Sequence, residues 1–138
     1  MKVKEAMHAD AEWRAPDTSL AEIAALMRSN DIGAVPIGEN DRLVGMVTDR
    51  DIALRAFADG KDPSAMTASD VMSKGVVYCT TAEEIGDAIH LMEQKQIRRL
   101  PVIDEDKRLV GMLSLGDVTH AVSQELGGEL ARSVSGHH

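Results

Sequence analysis

The chain has 138 residues, a length that suits one compact domain or two very small ones that share a core. Its 15 basic and 23 acidic residues give a formal net charge of −8, which disfavours nucleic acid and anionic membranes as partners. The single cysteine, Cys79, excludes an intramolecular disulfide and a multi-cysteine zinc site. Because no apolar run approaches the roughly 20 residues that span a bilayer and the N-terminus lacks a secretion signal, we expect a cytoplasmic protein with no membrane association.

The predicted elements fall in chain order into two similar series. Each series contains a short turn, a strand, an amphipathic helix, two strands joined by a polar turn, and a closing helix. In the first series these lie at residues 4–7, 12–15, 20–27, 34–37, 43–48 and 51–58. In the second series they lie at residues 69–72, 76–80, 85–92, 100–103, 109–114 and 117–125. Capping boxes are predicted at both amphipathic helices, formed by Ser19 with Glu22 and by Thr81 with Glu84.

The second series repeats the first at an offset of 65 or 66 residues. Each copy of about 60 residues is marginal by itself, and each predicted three-stranded sheet has one face that its helices leave open. We therefore expect the two sheets to pack on each other. The predicted organisation is a first repeat at 1–62, a second at 63–130, and a C-terminal tail at 131–138 whose ending looks like an expression-tag remnant.

Two segments, Gly45–Asp51 and Gly111–Asp117, share the pattern Gly-h-h-[Ser/Thr]-x-x-Asp, in which h is apolar. Each follows a strand with a central proline, Pro36 or Pro101. In two βαββα contexts these motifs resemble the cystathionine-β-synthase (CBS) domain family over residues 3–122, and the chain looks like the stand-alone CBS-pair proteins of bacteria. The resemblance implies an α/β (α+β) fold of two βαββα repeats packed sheet to sheet into one pseudo-two-fold module. It also implies a homodimer formed through the helices.

In this family the paired repeats form two clefts, in which many members bind AMP, ADP, ATP or S-adenosylmethionine. The motif aspartate anchors the ribose, and the motif serine or threonine faces the phosphate, which suits the free N–H groups of a helix start. Cleft 1 would then be formed by Met46, Thr48, Arg50, Asp51, Val76, Val77, Arg98 and Arg99. Cleft 2, the weaker site, would be formed by Gly33, Ala34, Met112, Ser114 and Asp117.

The resemblance places Arg98 and Arg99 opposite the Thr48 and Asp51 motif, where guanidinium groups could clamp a phosphate. Cleft 2 would face the equivalent Gly33–Ala34 pair and have no guanidinium. Other interpretations remain open at these positions. The motif residues also fit capping boxes for the closing helices, which need no ligand, the arginine pair could be a solvated surface pair, and Arg50 could reach the phosphate or point to solvent.

The remaining residues give no catalytic or metal-binding pattern. His8, His90 and His120 lack ligand spacing, and no Gly-x-Ser-x-Gly elbow or glycine-rich phosphate loop occurs. Cys79 has no reactive context and is expected to be packed. We therefore expect a protein that is not an enzyme and requires no cofactor or metal.

Several further side chains are predicted to pack. Trp13 and Tyr78 hold equivalent strand positions, where packing in the core or a dimer and a platform for adenine are the two interpretations. Four methionines match in pairs across the copies and are predicted core positions: Met7, Met27, Met72 and Met92.

Two hypotheses for the function follow. The first is a regulatory module that senses an adenine nucleotide between its repeats and acts on a regulated protein that the sequence does not name. The second is a ligand-free module for dimerisation or protein interaction, because the capping interpretation accounts for the motif without a ligand.

Overall fold

The structure, a computed structural model, describes residues 1–9 and 12–135, with side chains described as far as residue 127. Its helices are α1 (Val3–Ala6), α2 (Leu20–Asn30), α3 (Asp49–Ile52), α4 (Ala68–Val71), α5 (Ile85–Lys95) and α6 (Leu115–Ser135). Its strands are β1 (Ala34–Glu39), β2 (Arg42–Thr48), β3 (Cys79–Thr80), β4 (Arg99–Ile103) and β5 (Leu109–Ser114). A π-helical turn at Ala53–Phe57 continues α3, and a 3₁₀ turn lies at Pro63–Ala65.

The amphipathic helices α2 and α5 begin at the predicted residues, but only α2 has a side-chain cap. Ser19 caps α2, because its side chain accepts a hydrogen bond from the Glu22 N–H at 3.2 Å. The predicted box at Thr81 and Glu84 is wrong, since α5 begins only at Ile85 and Glu84 is its N-cap residue, without a side-chain cap. Both helices end at a residue in the left-handed conformation, which stops helical hydrogen bonding.

The two hairpins share one plan, but their third strands differ. Strands β1 and β2 pair antiparallel, as do β4 and β5, and each hairpin has an irregularity at an equivalent point. In the second repeat β3 adds a parallel third strand beside β4. In the first repeat the predicted strand at 12–15 is reduced to a single bridge from Arg14 to Ile37, so the prediction of a three-stranded sheet is wrong there.

One pair of equivalent residues, Cys79 and Arg14, explains why the third strand forms only in the second repeat. Cys79 of β3 is fully buried. Its counterpart Arg14 directs its guanidinium outward to the carboxylates of Glu12, at 2.9 Å, and Glu22, at 3.5 Å. A charged side chain with exposed partners does not follow the strand into the core.

The apolar core consists of two clusters, and the repeats exchange their first helices to build them. Cluster 1 combines buried residues of α2, β1 and β2 with Ala68 and Val71 of α4. Cluster 2 combines buried residues of α5, β4 and β5 with Val3 of α1. Backbone bonds of 2.8 Å fix the exchange, from the Val3 N–H to the Glu83 carbonyl and from the Ala68 N–H to the Thr18 carbonyl. Each spatial repeat therefore contains a piece of chain from the other side of the link at 59–64.

The motif glycines permit this close approach. A Cβ at Gly45 would lie 2.6 Å from the sulfur of Met72, and one at Gly111 would lie 2.7 Å from the carbonyl oxygen of His8. The predicted methionine core is confirmed, since Met27 and Met92 are buried and Met7 and Met72 are half-buried against the clusters.

The closing helices are unequal in length. The first comprises α3 and the π-helical turn and ends at Phe57, close to the predicted 51–58. The second, α6, exceeds the predicted 117–125 and continues through the expected boundary at 130 as far as Ser135. Residues 136–138, with the tag-like ending, lie outside the described residues. Within the described part of the chain, no helix is long and apolar enough to cross a membrane.

Candidate functional site

Cleft 1 is a cavity of about 410 Å³ between the end of β2 and the start of β4. Seven of the eight residues predicted for it line the cavity: Met46, Thr48, Asp51, Val76, Val77, Arg98 and Arg99. The exception is Arg50, which lies on the exposed side of α3. The cavity is therefore lined from both repeats.

Six further residues of cleft 1 were not predicted: Ala34, Ser73, Lys74, Gly75, Ile97 and Pro101. The exchange of first helices explains the most consequential of them. It pairs Ser73 with Met46 through backbone bonds of 2.9 and 3.1 Å, and so brings Lys74 to the cleft. A polar Ser-Lys-Gly stretch directly before Val76 was the only sequence signal for these residues.

Thr48 and Asp51 form the reciprocal capping box of α3. The Thr48 N–H donates to Asp51 Oδ2 at 2.9 Å, and the Asp51 N–H donates to Thr48 Oγ1 at 3.0 Å. The capping interpretation is therefore confirmed, but it uses only one carboxylate oxygen. Asp51 Oδ1 has looser neighbours, the hydroxyl of Ser73 at 3.4 Å and Nε of Arg55 at 4.0 Å. One oxygen can still accept from a hydroxyl in the cleft.

The backbone at the start of α3 offers no free N–H groups to a phosphate. Besides the two capped amides, the Asp49 N–H donates to the Gly33 carbonyl and the Arg50 N–H donates to the Asp49 carboxylate. The expectation that free amides of this helix would hold a phosphate is wrong, because the turn already satisfies them. Anion binding in cleft 1 would depend on its cationic side chains.

Cleft 2 is a larger cavity of about 600 Å³ beside the start of α6. Four of its five predicted residues line it: Ala34, Met112, Ser114 and Asp117. Ser114 and Asp117 form a second capping box, with bonds of 3.1 and 3.0 Å. Gly33 is not in the lining, and its Cα faces the carboxylate of Asp49 instead. The unpredicted lining residues are His8, Glu12, Asn30, Asp31, Ile32, Pro36 and Arg99.

Arg99 lines both cavities. The expectation that cleft 2 lacks a guanidinium is therefore wrong. Ala34, its counterpart in the first repeat, also lines both cavities. These two equivalent positions lie where the clefts adjoin, and only one of them carries a charge.

The charges around the two clefts are opposite. Cleft 1 has three cations, Lys74, Arg98 and Arg99, and one carboxylate. Cleft 2 has one guanidinium and, among the described residues that line it, three carboxylates: Glu12, Asp31 and Asp117. The Arg14 guanidinium, 2.9 Å from Glu12, offsets one of these. Cleft 1 is the more favourable environment for an anion.

The other candidates lie outside these clefts or are inert. Trp13 packs on Gly38, and Tyr78 is 48% exposed and lines a third groove of about 390 Å³ beside Arg42. Neither aromatic residue lines cleft 1 or cleft 2, so neither is in place as an adenine platform. Cys79 is packed as expected, and its burial, with a smaller effect of Glu83, raises the pKa of the thiol to about 12. Among the side chains that the structure describes, at residues 1–9 and 12–127, no cluster of three potential metal ligands occurs.

Comparison with known proteins identifies the family. The model of the CBS domain matches residues 3–57 and 68–124. The chain belongs to the CBS-domain family. It is 40% identical to the CBS domain-containing protein YhcV of Bacillus subtilis, over 96% of this chain and 94% of that protein. It is 41% identical to hypoxic response protein 1 of Mycobacterium tuberculosis, over 77% of this chain and 78% of that protein.

Solved structures of CBS pairs share the fold. Hypoxic Response Protein I, solved with two coordinated zinc ions, has a TM-score of 0.80 and 37% identity over 87% of this chain and 98% of its own. CBSX2 in complex with AMP has a TM-score of 0.77 and 27% identity, covering 89% and 96%. The CBS pair of MJ0100 in complex with 5′-methylthioadenosine and S-adenosyl-L-methionine has a TM-score of 0.76 and 26% identity, covering 87% and 98%. CBS-domain proteins of known structure thus include binders of adenine-containing ligands.

The same domain pair also occurs within an enzyme. The chain is 32% identical to part of the inosine-5′-monophosphate dehydrogenase of Methanocaldococcus jannaschii, but the match covers only 23% of that protein. Most of that enzyme has no counterpart in this chain.

Proposed function

We propose that this protein is a regulatory module that senses an adenine nucleotide, AMP, ADP, ATP or S-adenosylmethionine, in cleft 1. One observation carries the proposal: an acceptor oxygen of Asp51 and three cationic side chains line the same cavity. The volume of about 410 Å³ is within the usual range of small-molecule sites. The AMP complex of CBSX2 supports the choice of ligand class.

Each part of a nucleotide has a complement in this cleft. Asp51 Oδ1, which has only a long hydrogen bond from Ser73, would accept from the ribose hydroxyls, and Lys74, Arg98 and Arg99 would pair with phosphate oxygens. Apolar surface from four side chains would contact the adenine: Met46, Val77, Ile97 and Pro101. The excess of cations favours the phosphorylated ligands over S-adenosylmethionine, which is itself a cation.

Regulation would follow from the position of the cleft between the repeats. A ligand held by Asp51 of one repeat and Arg98 of the other binds most tightly to one relative arrangement of the two. It shifts the equilibrium by its difference in affinity for the alternatives. A protein with this role needs neither a catalytic group nor a resident cofactor. We also propose that it acts in the cytoplasm.

Isothermal titration calorimetry with AMP, ADP, ATP and S-adenosylmethionine tests the proposal. Arg98→Ala should weaken AMP binding by roughly ten- to a hundredfold, because it removes a charge-assisted contact worth about 1.5–3 kcal/mol. Arg28→Ala, at an exposed position of α2 outside the cleft linings, is the matched control and should leave the affinity unchanged. No heat and no thermal shift at millimolar ligand would contradict the proposal.

The second candidate function is a ligand-free homodimerisation module, and a specific surface favours it. The closing helices expose large apolar side chains, with Phe57 64% and Leu126 60% accessible. Leu54 and Leu115 are also about half exposed, at 51% and 45%. Burying such side chains in a helix-mediated dimer would be favourable. The same contact would serve a sensing module, so we expect a homodimer in either case.

Light scattering tests the dimer. The expected mass is twice the chain mass of 14.9 kDa, and a mass equal to that of one chain would contradict it. A nucleotide that copurifies with the protein would favour the sensing function over the ligand-free one.

A further inference from the structure

The two positions between the clefts differ in one decisive way. Ala34 and Arg99 are equivalent residues of the two repeats, and each lines both cavities. If both carried arginine, each cleft could have its own guanidinium from this central pair. Since Ala34 has no charge, Arg99 is the one guanidinium of this central pair, and it lines both clefts.

In cleft 1 an aspartate and several apolar side chains would hold the nucleoside, and cleft 2 has residues equivalent to most of these. Asp117 corresponds to Asp51 and uses one oxygen in its capping box, as Asp51 does. The apolar residues Met112, Ile32 and Pro36 line cleft 2 where Met46, Ile97 and Pro101 line cleft 1. The ribose acceptor and three of the four apolar contacts for the base are therefore duplicated, and the fourth, Val77, is replaced by Glu12 in cleft 2.

The phosphate portion is not duplicated. Cleft 1 has Lys74 and Arg98, whose counterparts in the first repeat are Ala9 and Gly33. Neither of these lines cleft 2. Apart from His8, Arg99 is the sole basic side chain among the described residues that line cleft 2, and three carboxylates line the same cavity. A phosphate in cleft 2 would depend on Arg99 alone.

We propose that one chain binds one phosphate-bearing nucleotide at a time, because the two clefts compete for Arg99, and that cleft 2 takes an unphosphorylated adenosine-type ligand. This inference rests on the proposed function of cleft 1. A phosphate monoester there carries a charge of about −1.5 to −2 at pH 7 and attracts Arg99. Cleft 2 is then left with its carboxylates, which repel a second phosphate but not a neutral nucleoside.

Stoichiometry measured by calorimetry and equilibrium dialysis with AMP tests the competition. The wild-type chain should bind one AMP, and the AMP-saturated chain should then bind one adenosine. Ala34→Arg supplies the missing guanidinium and should raise the stoichiometry to two AMP per chain. Ala34→Gln, a long but uncharged side chain at the same position, is the control and should leave it at one.

The outcomes separate this inference from the proposed function. Two AMP bound per wild-type chain with similar affinity would overturn the inference and leave cleft 1 as a nucleotide site. A folded Ala34→Arg protein that still binds one AMP would also overturn it, since sharing would not be the limit. If Ala34→Arg does not fold, the adenosine titration of AMP-saturated wild type decides, and absence of binding overturns the inference. No AMP binding at all would overturn the proposed function, and this inference with it.

Discussion

Cleft 1 and cleft 2 are formed by equivalent backbone segments, yet they differ in charge. Cleft 1 is lined by one carboxylate, that of Asp51, and by three cationic side chains. Cleft 2 is lined by three carboxylates, including that of Asp117, and by one guanidinium, that of Arg99, which also lines cleft 1. The capping boxes at both motifs have nearly the same geometry. Sequence repetition has therefore preserved the local structure of the two sites, and a few side chains around them decide which ligand each can hold.

The equivalent positions Cys79, in the third strand of the second repeat, and Arg14, where the first repeat has only a single bridge, allow the largest expected effect. Burial raises the pKa of Cys79 from 9.0 to about 12, so at pH 8 its thiolate fraction is about a thousandfold below that of a solvent-exposed cysteine. We expect Cys79 to resist thiol reagents in the native protein and to react once denaturant is added. Arg14→Cys in a Cys79→Ser background puts a thiol at the equivalent, partly exposed position and should react readily. Equal labelling rates for the two cysteines in the native protein would show that positions 14 and 79 do not differ in burial.

The motif aspartates sharpen the comparison of the clefts. Asp51→Asn should weaken AMP binding by roughly ten- to a hundredfold, since it removes an anionic acceptor while its amide oxygen can still cap α3. Asp117→Asn makes the same change in cleft 2 and should alter AMP affinity by less than about threefold. Calorimetry measures both, and equal losses would mean that AMP does not prefer cleft 1.

The motif glycines compare the two exchanged helices through stability. Gly111→Ala should destabilise the fold by about 1–3 kcal/mol, because the new methyl group meets the carbonyl of His8 at 2.7 Å and backbone must move. Gly45→Ala should cost less, since its nearest neighbour is the flexible side chain of Met72. Gly86→Ala, on an open face of α5, should stabilise the protein by roughly 0.5–1 kcal/mol. Urea unfolding measures the free energy of unfolding of each variant. A larger loss for Gly45→Ala than for Gly111→Ala would contradict the expected order.

The smallest expected effect on stability concerns two contacts between segments that precede helices. One lies between the residues before α1 and α5, and the other between the residues before α4 and α2. Lys2 bridges to Glu84 in the first contact, and Thr67 bridges to Ser19 in the second. The ion pair at 2.7 Å raises the pKa of Lys2 and lowers the pKa of Glu84. Its small contribution is complete between the two unfolded-state pKa values. It is lost as pH falls through the lowered pKa of Glu84 or rises through the raised pKa of Lys2.

Thermal melts from pH 3 to pH 11 check this difference between the two contacts. Glu84→Gln should lower the melting temperature slightly at pH 7, with the gap to wild type closing at acidic pH. Ser19→Ala should lower it by an amount that does not depend on pH, since no titrating pair is lost. A constant gap for Glu84→Gln would contradict the ion-pair account.

Much of the fold and of cleft 1 could be predicted because it depends on local patterns. The repeat offset, the hairpins and the capping boxes at Thr48 and Ser114 all depend on residues close together in the chain. The family resemblance then supplied the pairing of Asp51 with Arg98 across the seam. The lost third strand could not be predicted as readily, because Arg14 is compatible with a strand until its acidic partners are known.

The sequence by itself determined that there are two repeats, where their elements lie, and which residues can cap or bind. Only the tertiary structure decided that α1 packs in the second repeat and α4 in the first, since two similar repeats offer each helix two similar partners. That exchange brings Lys74 to cleft 1. The sharing of Arg99 was likewise decided in three dimensions, because the reach of one side chain into two cavities depends on how closely the repeats approach.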